Sequence, residues 1–565
     1  MDCNIEPQKS INEIWFNSPG DHQNHQPSYN VVHAGEPNFE NHTGQQQLSV
    51  NDYDHQSGQQ NSPLERGNPA AGHNGLPAEK LHQTFSLASL ELLNNYGKGF
   101  RNALGGITRE EKLRKISSNN GGEGGGGGSG SSNIEGSKKL ALGNIMKVAG
   151  EQFIQFSTQQ VDGFSTSIHP YAPSVITSEL SSSEMADVEL VQFLLLAAEC
   201  VGHKQYDLAS SLINRCLWVA SDSGNPTQRI VFYFAEALQW RIEIETGRTT
   251  IEDLNRRSSY ARSLQLDFNV AFVACHQALP FIQATQFAAV QAVLDYLKSA
   301  NKIHIIDLHI RSGVNWTVLM QALVDQETPP VIRITAVATA TNKGNVEEAG
   351  KRLVEFARSM DLPGFCFNTV VVEDMKELKE DMFRREPEEA VAVYASMVFR
   401  TMLSRPDSLA SVMKVMRRLK PAVVVVNEVE ANHNSPSFVT RFTESLFFYT
   451  AFFDCLEDCM GRKDDDRKII EGLYFGEGIR NMVATEGENR CTRNVTMEVW
   501  REYFGRFGLT EIEIGKDSIR QAKLILKRFG KTGAEEKCNL EENGKGIVIG
   551  WKGTPIHSLT TWKFV

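Results

Sequence analysis

The chain has 565 residues, of which 41% are hydrophobic and 22% charged, and it carries a net charge of −11. That is the composition of a folded soluble protein, with room for roughly two to four domains. The acidic balance excludes a chain that wraps nucleic acid through bulk charge but leaves room for a local basic patch. No apolar run approaches the ~18 residues of a membrane span, so no membrane partner is expected.

Residues 1–135 are rich in Asn, Gln, His, Gly, Ser and Pro. The opening MDCNIEPQKS lacks the charged and apolar segments of a secretory signal, and none is expected. Half of the 14 histidines lie within the first 82 residues, scattered and without ligand spacing. The run GGEGGGGGSG (121–130) has too little apolar surface to offset its ordering entropy. The region therefore reads as disordered and of low complexity. One island breaks it: LHQTFSLASLELLNNY (81–96), where Leu81, Phe85, Leu90 and Leu93 fit one helical face loosely. It is either a partner-binding helix or a transient one without a role. EEKLRK (110–115) is a short basic run of the kind used in nuclear import. The nine cysteines form no CxxC pair and no zinc spacing, and read as reduced thiols of an intracellular protein.

From 136 to 300 the pattern is helical. DVELVQFLLLAAECV (187–201), YDLASSLINRCLWVAS (206–221), QRIVFYFAEALQWRIE (228–243) and PFIQATQFAAVQAVLDYL (280–297) repeat apolar residues every three or four positions. After 301 the period changes. IHIID (303–307), VIRITAV (331–337), FNTVVVED (367–374), AVAVYASM (390–397) and AVVVVNEV (422–429) are short β-branched runs. Helical stretches at 315–325, 346–360 and 406–419 separate most of them. Such alternation predicts an α/β fold with a mostly parallel sheet buried on both faces. A long helix (437–457), a strand (509–515), a helix (518–528) and a C-terminal antiparallel hairpin (546–553 with 558–565) complete the prediction. Five parallel strands and such a hairpin resemble the methyltransferase-like variant of the Rossmann fold, an analogy of fold and not of function.

A nucleotide or S-adenosylmethionine site needs glycines after the first strand and a carboxylate near the end of the second. DLHIRSGVNW (307–316) has one glycine, surrounded by bulky Leu308, His309, Ile310 and Arg311, and ITAVATATNK (334–343) has no acid. Neither a phosphate-binding GxxxxGK[ST] loop nor a GxSxG elbow is present. No cofactor is expected. His433, with Glu428 and Glu430 nearby, lies beyond a strand end, where ligands bind in open α/β sheets; the group is either an acid/base pair or a set of polar helix caps. His304 reads as a satisfied buried histidine, and Asp307 as a residue that fixes the loop while Trp316 packs the next helix onto the strand. KVMRRLK (414–420) ends a helix, where cations complement the dipole. Arg520, Lys523, Lys527 and Arg528 lie along one helix; they are candidates for phosphate contacts, or a solvated face.

Taken together, these motifs resemble the plant GRAS family of transcriptional regulators. Ile303, His304, Ile305, Ile306 and Asp307 are similar to the family's VHIID motif, with leucine-rich segments on both sides. The stretch 423–457 resembles the PFYRE region, to which Pro421, Phe448 and Tyr449 are assigned, and MVATEGENR (482–490) its VACEG segment. Arg493, Glu498, Trp500, Gly508, Trp551 and Trp562 match the SAW region. The resemblance covers about two thirds of the chain, from about 186 to 565.

The resemblance implies a helical cap (136–300) on a Rossmann-like core (301–565), and a nuclear, non-enzymatic regulator. Such a protein works through GRAS–GRAS dimers and DNA-binding transcription factors, with weak direct binding of promoter DNA in some members. Two readings compete with it: a methyltransferase-like enzyme or small-ligand sensor, and a direct sequence-specific DNA binder. There are departures from the family pattern. SGVNW replaces the usual QGxQW, and Glu477 and Gly478 replace the Arg–Glu of PFYRE. No DELLA or VHYNP segment is present, so gibberellin-receptor binding is not implied. The SGVxW variant is similar to members grouped near the DELLA proteins and those acting in arbuscular mycorrhizal symbiosis.

Overall fold

The computed structural model describes residues 141–159, 180–254, 256, 276, 278–324, 328–362, 364–460, 465–529 and 536–565. The predicted low-complexity region 1–135, with its 81–96 island and its 110–115 basic run, lies outside the described residues. Four helices come first: α1 (Leu142–Gln159), α2 (Ser182–Gly202), α3 (Tyr206–Val219) and α4 (Pro226–Glu245). Local chemistry sets two of their starts. Ser181 and Glu184 form a capping box for α2, and Asn225 with Gln228 does so for α4, where Pro226 takes the first helical position. None of the described helices is long and apolar enough to cross a membrane.

Helix α5 (Pro280–Leu297) leads into the alternating part: β1 (Lys302–Asp307), α6 (Val314–Val324), β2 (Val331–Thr339), α7 (Lys343–Ser359), β3 (Cys366–Val372), β4 (Ala390–Ser396), α8 (Pro406–Leu419) and β5 (Val423–Val429). Then come α9 (Phe438–Cys459), α10 (Asp465–Ile469), a π-helical turn (Ile470–Phe475) and α11 (Gly476–Val483). The chain ends in α12 (Met497–Arg506), β6 (Leu509–Ile512), α13 (Lys516–Arg528), β7 (Cys538–Asn543), β8 (Gly546–Trp551) and β9 (Thr554–Phe564).

The sheet runs β3-β2-β1-β4-β5-β9-β8-β7, with β6 pairing to β9. The first five strands are parallel and the rest antiparallel. Because β1 lies between β2 and β4, the chain winds outward first on one side and then on the other, the doubly wound order of Rossmann-like folds. All seven residues of β5 are buried. Ile303, Ile305, Val423 and Val425 face an apolar cluster shared with Leu194, Phe234 and α9. Ile306, Val424 and Val426 face a second cluster, built from α8 and from Trp500 and Phe504 of α12. The expected α/β class is what the structure shows.

The C-terminal hairpin proves to be three strands. β7 pairs with β8 and forms one edge of the sheet. Its sequence, CNLEEN, lacks β-branched residues and is only partly covered, as suits an edge. The expected elements also omit the π-helical turn, whose six residues are too few to show a period, and α12, whose buried Met497, Trp500 and Phe504 do carry one.

Candidate functional site

The C-terminal ends of β1, β4 and β5 meet where an open α/β sheet places its ligand. Asp307 ends β1 fully buried. Its Oδ2 accepts from Trp316 Nε1 at 2.8 Å and its Oδ1 from the His309 amide at 3.0 Å. Burial pushes the carboxyl up to about 6, against the pull of those two donors. Gly313 takes φ +76°, a left-handed turn into α6, and a Cβ there would press on Leu353. Leu308 and Ile310 are buried beneath the loop. The loop is thus held by its own side chains, with Trp316 edge-on to Tyr394 at 5.1 Å.

His304, in mid-strand, stitches three elements together. Its Nε2 lies 2.8 Å from Thr335 Oγ1 on β2, and its Nδ1 3.3 Å from Glu389 just before β4. Glu389 in turn pairs with Arg333. Burial pulls His304 down to about 4, so the ring is neutral at physiological pH.

The polar group after β5 is also turned to internal use. Glu428 Oε1 accepts from the Phe399 amide at 2.8 Å, and Glu430 receives the Met497 amide that opens α12, at 3.0 and 3.1 Å. His433 Nδ1 lies 2.9 Å from Asn494 Nδ2, and the ring stands edge-on to Phe448 at 4.9 Å. The expectation that this group caps the helix near Ser437 needs correcting. Ser437 caps α9 itself, receiving the Thr440 amide at 3.4 Å, while the two glutamates cap other segments.

Burial pushes Glu428 up to about 7. Its folded-state pKa therefore lies above the unfolded value, and the folded chain holds more protons between about pH 4.5 and 7. Wild type should gain stability relative to Glu428→Gln as pH falls from 7.5 to 5, measured by urea unfolding at both pH values. An opposite trend would show that the carboxylate form is the one the fold prefers.

A model of the GRAS domain family matches residues 190–563. The chain belongs to the GRAS domain family. DELLA protein RGL3 of Arabidopsis thaliana is 33% identical over 401 residues, 70% of this chain and 73% of that protein. DELLA protein RGL1 of the same plant is 32% identical over 398 residues, 69% and 74% of the two chains. DELLA protein GAIP of Cucurbita maxima is 31% identical over 389 residues, 68% of this chain and 64% of that protein. Among solved structures, SCL7 of Oryza sativa matches with a TM-score of 0.57 at 27% identity, over 66% of this chain and 99% of that one. By family, then, the chain is a plant transcription regulator.

The residues expected to form the other GRAS motifs fall in separate places. Pro421 is buried at the entry to β5. Phe448 and Tyr449 stand edge-on to each other on α9, and Tyr449 also reaches Phe234 of α4. Tyr449 accounts for Gly478, where the family has a charged residue: a Cβ at that position would overlap the Tyr449 hydroxyl. Gly478→Ala should cost about 1–3 kcal/mol in urea unfolding. Tyr449→Phe, which removes the overlapping atom, should recover part of it in the double variant. Additive losses would contradict the overlap.

Of the residues expected to form the SAW region, Arg493 and Glu498 do not pair. Arg493 donates to Gly487 O at 2.7 Å, whereas Glu498 accepts from Asn543 at 3.0 Å. Trp500 stacks on Phe504 at 5.3 Å, and Trp562 meets the same ring at 5.0 Å. Trp551 lies in the opposite cluster and donates to Asp454 at 2.8 Å. Gly508 holds φ +80°, and its carbonyl accepts from the Val565 amide.

Arg520, Lys523, Lys527 and Arg528 are exposed on α13, and none is in an ion pair among the described residues. The first three border an open groove of about 690 Å³ between α13 and the β7 edge, floored by Ile519 and Leu540. Sequence reading missed the arginines that converge near 484–494, since Arg241 reaches that segment from some 240 residues away and Arg441 from 45.

Proposed function

We propose that this GRAS protein is a non-enzymatic nuclear co-regulator of transcription acting by protein contact. It pairs with a second GRAS domain and docks on DNA-binding transcription factors, in development, hormone signalling or symbiosis. The division into cap (136–300) and core (301–565) is part of this reading. The observation that carries it is on α3, where Trp218 is 91% exposed and Leu208 and Val219 also face solvent. A solvated tryptophan is an unusual surface residue and a common interface anchor. The polar groups at the strand ends, meanwhile, serve the fold: Asp307, Glu428 and Glu430 each hold backbone amides.

Sedimentation of the full chain should show a monomer–dimer equilibrium that Trp218→Ala weakens about thirtyfold, the effect of losing a hot-spot side chain worth about 2 kcal/mol. A wild-type chain that stays monomeric at every concentration contradicts the dimer.

The unpaired cations of α13 favour a second reading, direct DNA contact. Exchanging Lys523 and Lys527 for Glu should then weaken binding uniformly across sequences and lower the salt slope by about 2. Affinity without sequence preference would leave only weak electrostatics. A methyltransferase-like enzyme or sensor would instead show heat on titration with S-adenosylmethionine; the co-regulator reading expects none.

A further inference from the structure

Four arginines, Arg241, Arg441, Arg490 and Arg493, gather where α4, α9 and the 484–494 segment meet, and only the first two have ion pairs among the described residues. Glu486 pairs with Arg241 at 2.9 Å and with Arg441, and Arg241 also pairs with Glu245 at 2.7 Å. Arg441 further donates to Ser435 O at 2.8 Å and Met482 O at 3.3 Å. These contacts occupy Glu245 and Glu486. Arg490 and Arg493 then face no carboxylate within ion-pair distance among the described residues.

Arg490 is only 4% exposed, and its sole hydrogen bond runs from Nη2 to Asn434 Oδ1 at 3.5 Å. Its Nε and Nη1 are buried without a partner among the described residues. Arg493 donates to the same Asn434 oxygen at 3.4 Å, and its Nε is likewise buried and unpartnered. Arg400, whose carbonyl receives the Arg493 amide at 2.9 Å, donates from its own guanidinium to Asn494 Oδ1 at 3.2 Å and also has a buried Nε without a partner among the described residues. Burying guanidinium donators without acceptors is costly, and burying a cation without a counter-charge costs more. Burial, then the neighbouring Arg441 and Arg493, pulls Arg490 down to about 10, which registers the same crowding of positive charge.

We infer that Arg490 and Arg493, with Asn434 between them and Arg400 beside them, form a binding site for a phosphate monoester or free phosphate. The Nε–Nη edge of a guanidinium presents two parallel donors that match a phosphate oxygen pair. Glu245 and Glu486 pair with Arg241 and Arg441, so a phosphate dianion would supply the counter-charge that Arg490 and Arg493 do not have in an ion pair among the described residues. Arg490 is too deeply set for a bulky chain to reach, whereas Asn434 and Arg493 are half-exposed. A small terminal phosphoryl group fits that entrance better than a nucleic-acid diester, which is singly charged and flanked by sugar on both sides. The inference goes beyond the co-regulator reading and does not depend on it.

The test is thermal unfolding and calorimetric titration of the full chain. The probes are inorganic phosphate, a phosphoserine peptide, chloride at matched ionic strength and a short DNA duplex. Phosphate or the phosphopeptide should bind one per chain, and should raise Tm by about 3 °C at a hundredfold excess over Kd. The better of the two tells whether the group arrives free or on a protein. Arg490→Gln should weaken binding by at least about tenfold while leaving the phosphate-free Tm unchanged or higher, since it removes a buried, unbalanced charge. Should Arg490→Gln fail to fold, the half-exposed Arg493→Gln carries the same expectation. An equal shift with chloride, a shift that survives both substitutions, or binding of the DNA duplex alone would overturn the proposal.

Discussion

Glu471→Ala should lower the stability of the folded chain by about 3–5 kcal/mol. Glu471 lies fully buried in the π-helical turn. Its Oε1 accepts from Arg229 Nε of α4 at 3.0 Å, and its Oε2 from Arg467 Nη1 of α10 at 2.7 Å. Both guanidiniums are fully buried as well. Arg229 retains Glu457 at 3.0 Å and the Gly224 carbonyl at 3.0 Å, so it does not lose every partner. The cost arises because the deletion removes a carboxylate that two buried guanidiniums share in a low-dielectric interior, a larger penalty than the net contribution of the pairs themselves. The π-helical turn, which elsewhere marks functional or strained positions, here brings Glu471 to a helix 242 residues earlier in the chain. Urea unfolding would measure the loss. A further Arg229→Met exchange should recover part of it, because the buried cation goes too. A loss under about 1 kcal/mol for Glu471→Ala would mean that water reaches these arginines.

Asp307→Ala should cost about 2–4 kcal/mol, because it strands two buried donors, the Trp316 indole and the His309 amide. These two bonds join the end of β1 to α6 and fix the loop between them. Trp316→Phe keeps most of the ring's packing but removes one donor, so it should cost less. The double variant should cost less than the sum of the two, since the indole and the carboxylate are one interaction counted twice. Strict additivity in a double-mutant cycle would show that the hydrogen bond contributes nothing beyond packing. The loop carries no ligand-facing glycines, and Asp307 is occupied on both oxygens. It therefore acts as an anchor at the C-terminal end of the first strand, beside the place where open α/β sheets bind their ligands.

The elements that could be read from sequence are those whose order is local. Within the β-branched runs at 303–307 and 422–429 every strand residue is buried, and their alternation with helices gave the doubly wound sheet. The part played by Asp307 was legible because its partners, His309 and Trp316, lie two and nine residues away. Ionic contacts between distant segments were not legible. Arg241 and Glu486 are 245 residues apart, and nothing in either stretch announces the other. β7 was missed because an edge strand has one covered face and needs no β-branched run. Gly478 read as a departure from the family motif, and only the position of the Tyr449 hydroxyl gives it a reason.

The central claim is that this chain regulates transcription by touching other proteins. The measurement that bears on it most directly is affinity purification of the full chain from plant nuclei, in parallel with the Trp218→Ala variant. The wild-type chain should recover a second GRAS-domain protein or a DNA-binding transcription factor, and the variant should recover less of the GRAS partner. Recovery of neither from nuclei that contain the chain, together with measurable heat on titration with S-adenosylmethionine, would contradict it.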